Sequence, residues 1–150
     1  MEFFDGTDPV SIKLAVDTLV ARYVDYCDTH DWESLVDLFE ADGVFDTGDV
    51  YGKVLTGPDE LRNFYETAVV PIAHHATSVY LTDISPSCVR ARMKMITIFP
   101  NSLFSVDYDW TVTRASGSWR IGRQRINLVG KVPLRNSAAA TATNVDANAG

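Results

Sequence analysis

The sequence predicts an α+β domain, with three amphipathic helices in its N-terminal half packed on one face of a bent, mostly antiparallel sheet built from its C-terminal half. Three observations predict it. Up to about residue 68 the apolar side chains recur every three or four positions. From His74 onward they alternate, and β-branched and aromatic residues become dense. The two regimes are segregated along the chain, which points to helices on one side of an antiparallel sheet and away from a parallel α/β fold.

The elements follow in order. Asp8 before Pro9 reads as an N-cap with proline at the first helical position. Behind it Ile12, Val16, Leu19, Val20, Tyr23 and Cys27 form an apolar stripe that ends near Asp28-Thr29-His30. Asp31 caps a second, short helix carrying Trp32, Leu35, Val36 and Phe39, broken by Ala41-Asp42-Gly43. Residues 44–46 and 51–55 read as short strands around a Thr47-Gly48-Asp49 turn. Thr56-Gly57-Pro58 opens a third helix with Leu61, Phe64, Tyr65 and Ala68 on one stripe, and Pro71 limits it. Four strands follow at 74–82, 87–99, 103–114 and 118–129. In the second of these Arg90, Arg92 and Lys94 alternate with Ala91, Met93 and Met95, giving one wet face and one buried face. Helices laid on a bent sheet leave a pocket between the layers, where small molecules bind.

Composition bounds the function. A chain of 150 residues has room for one domain, read here as 1–135, with a loose tail of Ala, Thr, Asn and Gly over 136–150. Thirteen basic against twenty acidic residues give a net charge of −7, a field that repels nucleic acid and anionic membrane. Cys27 and Cys88 make neither a disulfide framework nor a zinc site, and no metal-ligand cluster is visible. The acidic start lacks the basic opening of a signal peptide, and no apolar run approaches a membrane span. The expectation is a cytoplasmic protein with no metal and no cofactor.

Phosphate loops, nucleophile elbows and dinucleotide fingerprints are absent from the sequence. What remains is a set of polar residues at the ends of apolar elements: Tyr23, Asp28, His74 and His75. On a helical wheel Asp28 lies about 140° from Tyr23, just past the apolar arc, whereas Asp25 lies about 200° away on the solvent side. A carboxylate beside a histidine fixes its tautomer and raises its basicity, making a general base, and a nearby tyrosine can donate to a carbonyl or departing hydroxyl. The same residues also fit a plain structural account, with Asp28 as a helix-end cap, Tyr23 as core and the histidines opening a strand. Asp107 and Asp109 are expected on a wet face paired with basic neighbours, and His30 at the negative end of the helix.

The segment Tyr-Val-Asp-Tyr-Cys-Asp-Thr-His-Asp-Trp (23–32), then Leu35, Leu38-Phe39 and Ala41-Asp42, resembles the opening of the SnoaL-like branch of the NTF2-like superfamily. Gly57-Pro58-Asp59-Glu60-Leu61, His74-His75-Ala76-Thr77-Ser78 and Gly117-Ser118-Trp119-Arg120-Ile121 follow in that family's order, so the resemblance spans roughly residues 10–130. It implies a cone-shaped α+β barrel around a deep apolar pocket. Within the superfamily the chain is most similar to the group holding scytalone dehydratase, bile-acid 7α-dehydratase and hexachlorocyclohexane dehydrochlorinase, cofactor-free lyases that use a His–Asp pair.

That resemblance implies a lyase acting on a small hydrophobic, cyclic hydroxy or carbonyl compound. Asp28 matches the family aspartate, Tyr23 a hydrogen-bond donor, and either His74 or His75 the base, since neighbours on a strand face opposite ways. Cys27 and Thr47 stand where scytalone dehydratase carries two pocket tyrosines, so scytalone is not the expected substrate. Tyr51 and Trp110 are further candidates for the substrate wall, and Arg123 or Arg125 for an arginine that relatives carry late in the last strand. A homodimer or homotrimer is expected. The rival readings are an isomerase or polyketide cyclase with Asp28 as base, and a non-catalytic binding or oxygenase small-subunit-like domain.

Overall fold

The structure, a computed structural model, describes residues 5–135; the tail over 136–150 lies outside the described residues. Helix α1 (Pro9–Thr29) starts where the Asp8 carboxylate accepts the Val10 and Ser11 amide protons. It stops at His30, whose left-handed backbone (φ 59°) turns its N–H back onto the Cys27 and Tyr26 carbonyls. Its buried stripe is Ile12, Ala15, Val16, Leu19, Val20, Tyr23 and Cys27, the 3.6-residue pattern that the sequence shows. The His30 ring stacks on Trp32, 4.9 Å between centroids. Asp31 caps α2 (Trp32–Asp37) by accepting from the Ser34 N–H.

Two local expectations are corrected next. Phe39 is not the last residue of the second helix but the first of strand β1 (Phe39–Asp46), and Ala41-Asp42-Gly43 is an irregularity within that strand. The helical spacing of Phe39 arises because it is buried against the same core as α2 from the opposite end of a tight turn. A Cβ on Gly43 would stand 2.8 Å from the Glu40 carbonyl oxygen, so the kink admits glycine alone without a shift. The stretch 51–55 is not one strand. Gly48–Tyr51 forms a single helical turn, α3, and β2 is Val54–Thr56. Gly48 takes a positive φ of 53° with its Cα facing the Ile126 carbonyl, where a side chain has no room.

Helix α4 (Gly57–Thr67) begins with Pro58 in its first turn and with the Glu60 carboxylate accepting the Thr56 N–H at 2.8 Å. Strands β3 (Ala73–Thr82), β4 (Cys88–Phe99), β5 (Ser102–Thr113) and β6 (Arg120–Pro133) form a meander close to the predicted limits. All six strands make one sheet in the order β2-β1-β6-β5-β4-β3, antiparallel except for the parallel pair β1–β6. The sheet is curved but open, with β2 and β3 as its edges, so the cone does not close by strand pairing.

The concave face meets α1, α2 and α4 through one core that includes Leu19, Leu35, Leu61, Met95, Trp110 and Ile121, each at most 3% exposed. The convex face carries charge. Lys94 pairs with Asp107 (2.5 Å), Arg90 with Asp109 (2.7 Å), and Arg123 with Asp46 (2.8 Å). Such exposed pairs contribute about 0–1 kcal/mol each, so they set register and solubility more than stability. Among the described residues no helix is long and apolar enough to cross a membrane.

Candidate active site

Between the helices and the sheet lies a cavity of about 250 Å³. No Asp, Glu, Lys or Arg lines it among the described residues; its wall is aromatic and aliphatic, with His74, Thr97, Cys27 and four tyrosines as its polar groups.

Asp28 and His74 meet at this wall. Asp28 is the penultimate residue of α1, turned inward at the helix end, and His74 is the second residue of β3. Asp28 Oδ1 lies 2.7 Å from His74 Nδ1, and Asp28 Oδ2 accepts the His74 backbone N–H at 3.1 Å. Both carboxylate oxygens are thus spent on one residue. As the acceptor, the carboxylate holds the ring proton on Nδ1 and leaves Nε2 as the lone-pair nitrogen. His74 is 5% exposed, whereas His75, the next residue, is exposed and outside this cavity. Strand alternation decides between the two histidines that the sequence left open.

The charge state follows from burial. Desolvation holds the His74 pKa below its ordinary 6.5, against the pull of Asp28, with a smaller push in the same direction from His75. This corrects the expectation of a raised value: Asp28 supplies orientation, while burial keeps the ring neutral.

Next to His74 stands Tyr23, ring centroids 6.3 Å apart. Its hydroxyl lies 3.1 Å from that of Tyr65 and accepts a proton from Gln124 Nε2 at 3.0 Å. Gln124 Oε1 in turn accepts from the Trp110 indole N–H at 2.8 Å. Burial pushes the Tyr23 and Tyr65 phenols far above their usual range, and Tyr108 likewise, so all three stay protonated. Burial raises the Cys27 thiol too, so it is an apolar wall group rather than a nucleophile.

Two of the expected wall residues, Thr47 and Trp110, are placed differently. Thr47 is fully buried away from the cavity, its hydroxyl bridging the Lys53 N–H and carbonyl at 2.8 Å each. Trp110 is fully buried beside Tyr23, 5.5 Å from its ring, off the cavity wall, with its indole N–H on Gln124. Tyr51 does line the cavity, but its hydroxyl donates to the Val69 carbonyl at 2.9 Å. Arg123 and Arg125 point outward to Asp46.

Gln124 and Tyr108 are not among the residues that the sequence singles out, and Tyr65 appears there only on the apolar stripe of the third helix. Alternation counted from Trp119 and Ile121 turns Arg123 and Arg125 inward. A bulge between β5 and β6 at Thr111/Val112 shifts the register, so that Gln124 and Ile126 face the core. The usable signal was Gln124 itself, an uncharged polar residue between two arginines, in step with Ile126.

The helices on a curved sheet, with an apolar cleft between them, define the class of fold. The chain belongs to the SnoaL-like domain family, whose model matches residues 9–125. Among solved structures it is similar to a hexachlorocyclohexane dehydrochlorinase, LinA type 2 (TM-score 0.74, 14% identity, 85% of this chain and 91% of that one). It is similar also to LinA type 3 from Novosphingobium barchaimii LL02 (TM-score 0.73, 16% identity, 85% and 92%). A third is a candidate scytalone dehydratase from Novosphingobium aromaticivorans DSM 12444 (TM-score 0.66, 17% identity, 85% and 90%). At these identities the likeness is one of fold. No curated protein matches the chain at a significant level.

Proposed function

We propose that the protein is a cofactor-independent lyase that eliminates water or a comparable leaving group from a small, uncharged, cyclic compound. The observation that carries this reading is the Asp28 carboxylate with both oxygens on His74, at the wall of a cavity without charged side chains. Two things follow from it, and a third supports it. His74 Nε2 is a neutral base near neutral pH, since Asp28 fixes the tautomer and burial resists premature protonation. The substrate is neutral, because a buried carboxylate or phosphate would find no counter-ion in the cavity wall. The dehydrochlorinase and dehydratase structures of similar fold support the same reaction class.

In the reaction, Nε2 takes a proton from carbon, the C–H electron pair becomes the new double bond, and the leaving group departs with its own bonding pair. For a hydroxyl leaving group, the imidazolium returns the proton to the departing oxygen and water is released. The buried tyrosine hydroxyls hold that oxygen, or a conjugated carbonyl, through hydrogen bonds strengthened by the low local dielectric. General-base catalysis of this kind contributes about 10²–10⁴-fold, and positioning in the cavity adds to it. The alternative in which Asp28 itself abstracts the proton is disfavoured, since Asp28 does not line the cavity and both its oxygens are turned to His74.

The test is a panel of neutral cyclic β-hydroxy ketones, followed by the ultraviolet absorbance of the conjugated enone. Wild type and His75→Ala turn over alike, and His74→Ala loses at least about 10²-fold in kcat. Turnover that survives His74→Ala would overturn the reading. Saturable binding across the panel with no turnover would make the protein a binding domain instead.

A further inference from the structure

We propose that Tyr65 on α4 is the hydroxyl that donates to the substrate's acceptor oxygen, and that Trp110, Gln124 and Tyr23 are positioning residues that fix the direction of its proton. The argument is donor and acceptor arithmetic along a buried chain. An indole N–H is a donor and nothing else, so the Trp110 contact at 2.8 Å identifies the Gln124 atom facing it as the carbonyl oxygen. The Gln124 NH2 therefore faces the tyrosines, and it too is solely a donor. Tyr23 Oη accepts from it at 3.0 Å.

Tyr23 now has its own proton to place, in a site 1% exposed. Cys27 and Tyr108 lie near enough to its hydroxyl to compete weakly for that proton. Among the described residues the acceptor at hydrogen-bond distance is Tyr65 Oη, 3.1 Å away. The Gln124 amide lies near Tyr65 as well, so donors converge on that oxygen. The reverse setting, with Tyr65 donating to Tyr23, would load two donors onto Tyr23 Oη and leave its proton only the weaker acceptors Tyr108 and Cys27. Tyr65 thus receives from the protein and sends its own proton into the cavity that its ring lines, where it is sandwiched between Trp32 and Phe45 at 5.7 and 5.9 Å. The direction, Trp110 to Gln124 to Tyr23 to Tyr65, is set before any ligand arrives.

What the Tyr65 proton meets, a carbonyl or a hydroxyl oxygen, rests on the elimination reading; the direction of the proton does not. The first measurement is neutron diffraction from crystals of the wild-type protein grown in D2O. The deuterium on Tyr23 is expected on the line to Tyr65, and that on Tyr65 directed away from Tyr23. A Tyr65 deuterium aimed at Tyr23, or a Tyr23 deuterium aimed at Tyr108 or Cys27, would overturn the proposal. The second uses 1-indanone, 13C-labelled at its carbonyl, as a small neutral probe. Its bound infrared C=O band is expected below the frequency in hexane. Tyr65→Phe returns the band to the hexane value and weakens binding about ten-fold, while Gln124→Leu weakens the shift without abolishing it. Failure of 1-indanone to bind the wild type, or an unshifted band, would overturn the donor role, whether or not the variants fold. Asp28→Asn leaves this band in place, so failure of the His–Asp reading is seen separately, in turnover.

Discussion

Asp28→Asn tests the site most sharply, because asparagine has the shape of aspartate but half of its acceptors. The carboxylate accepts twice from one residue, at Nδ1 (2.7 Å) and at the backbone N–H (3.1 Å) of His74. Asparagine has one oxygen and one NH2 group. Its oxygen must serve the backbone N–H, which cannot change, and the NH2 then faces Nδ1. That arrangement is satisfied only if Nδ1 gives up its proton and Nε2 takes one, so the ring survives as the wrong tautomer. The expected loss is about 10²–10⁴-fold in kcat, the whole of a general base, with little change in KM. Stability falls less, because one charge-assisted hydrogen bond becomes a neutral one at a cost of about 1–2 kcal/mol. In a chain of this size that lowers Tm by about 2–8 °C. Ring 15N chemical shifts of His74 distinguish the tautomers directly, beside kcat on the enone-forming substrate. An Asn variant that keeps the proton on Nδ1 and turns over within two-fold of wild type would refute the reasoning.

The remaining predictions concern pH and one misplaced side chain. Burial sets the His74 pKa below 6.5, so in the window between the folded value and 6.5 the unfolded chain binds more protons than the folded one. Stability therefore rises with pH through that window, is complete above it and is lost as pH falls; the urea midpoint of the wild type should decline below 6.5 more steeply than that of His74→Gln. In the same window kcat/KM should show an acid limb from the free enzyme, and a limb above 6.5 would contradict the burial argument. Thr47→Val should cost about 1 kcal/mol, since the Lys53 N–H loses its acceptor while the Lys53 carbonyl keeps the Thr47 backbone N–H. Binding of 1-indanone by the folded fraction should be unchanged, which calorimetry of the variant checks.

The geometry of the candidate site was partly legible in the sequence. Asp28 is identifiable because a helix fixes angles: five residues past Tyr23 it lies at the edge of the buried arc, and it turns inward at the helix end. The histidine was legible as a pair and no further, because neighbouring strand residues face opposite ways and one register step exchanges His74 for His75. Thr47 and Trp110 differ for another reason. Alignment with a relative's pocket tyrosine, or an inward strand face, marks a buried position but not its partner, and one is spent on a turn and the other on Gln124.

The sequence by itself determined what depends on short-range periodicity and chemistry: the helices and their caps, the four-strand meander, the charged convex face and the short list holding Tyr23, Asp28 and His74. Tertiary structure decided what depends on register between distant segments. The parallel pairing of β1 with β6, the bulge that turns Gln124 inward and both arginines outward, and the contact across 46 residues between Asp28 and His74 are of this kind. Each is fixed by a cross-strand or interlayer fit that no local window contains, and a single inserted residue in a strand reverses every face beyond it.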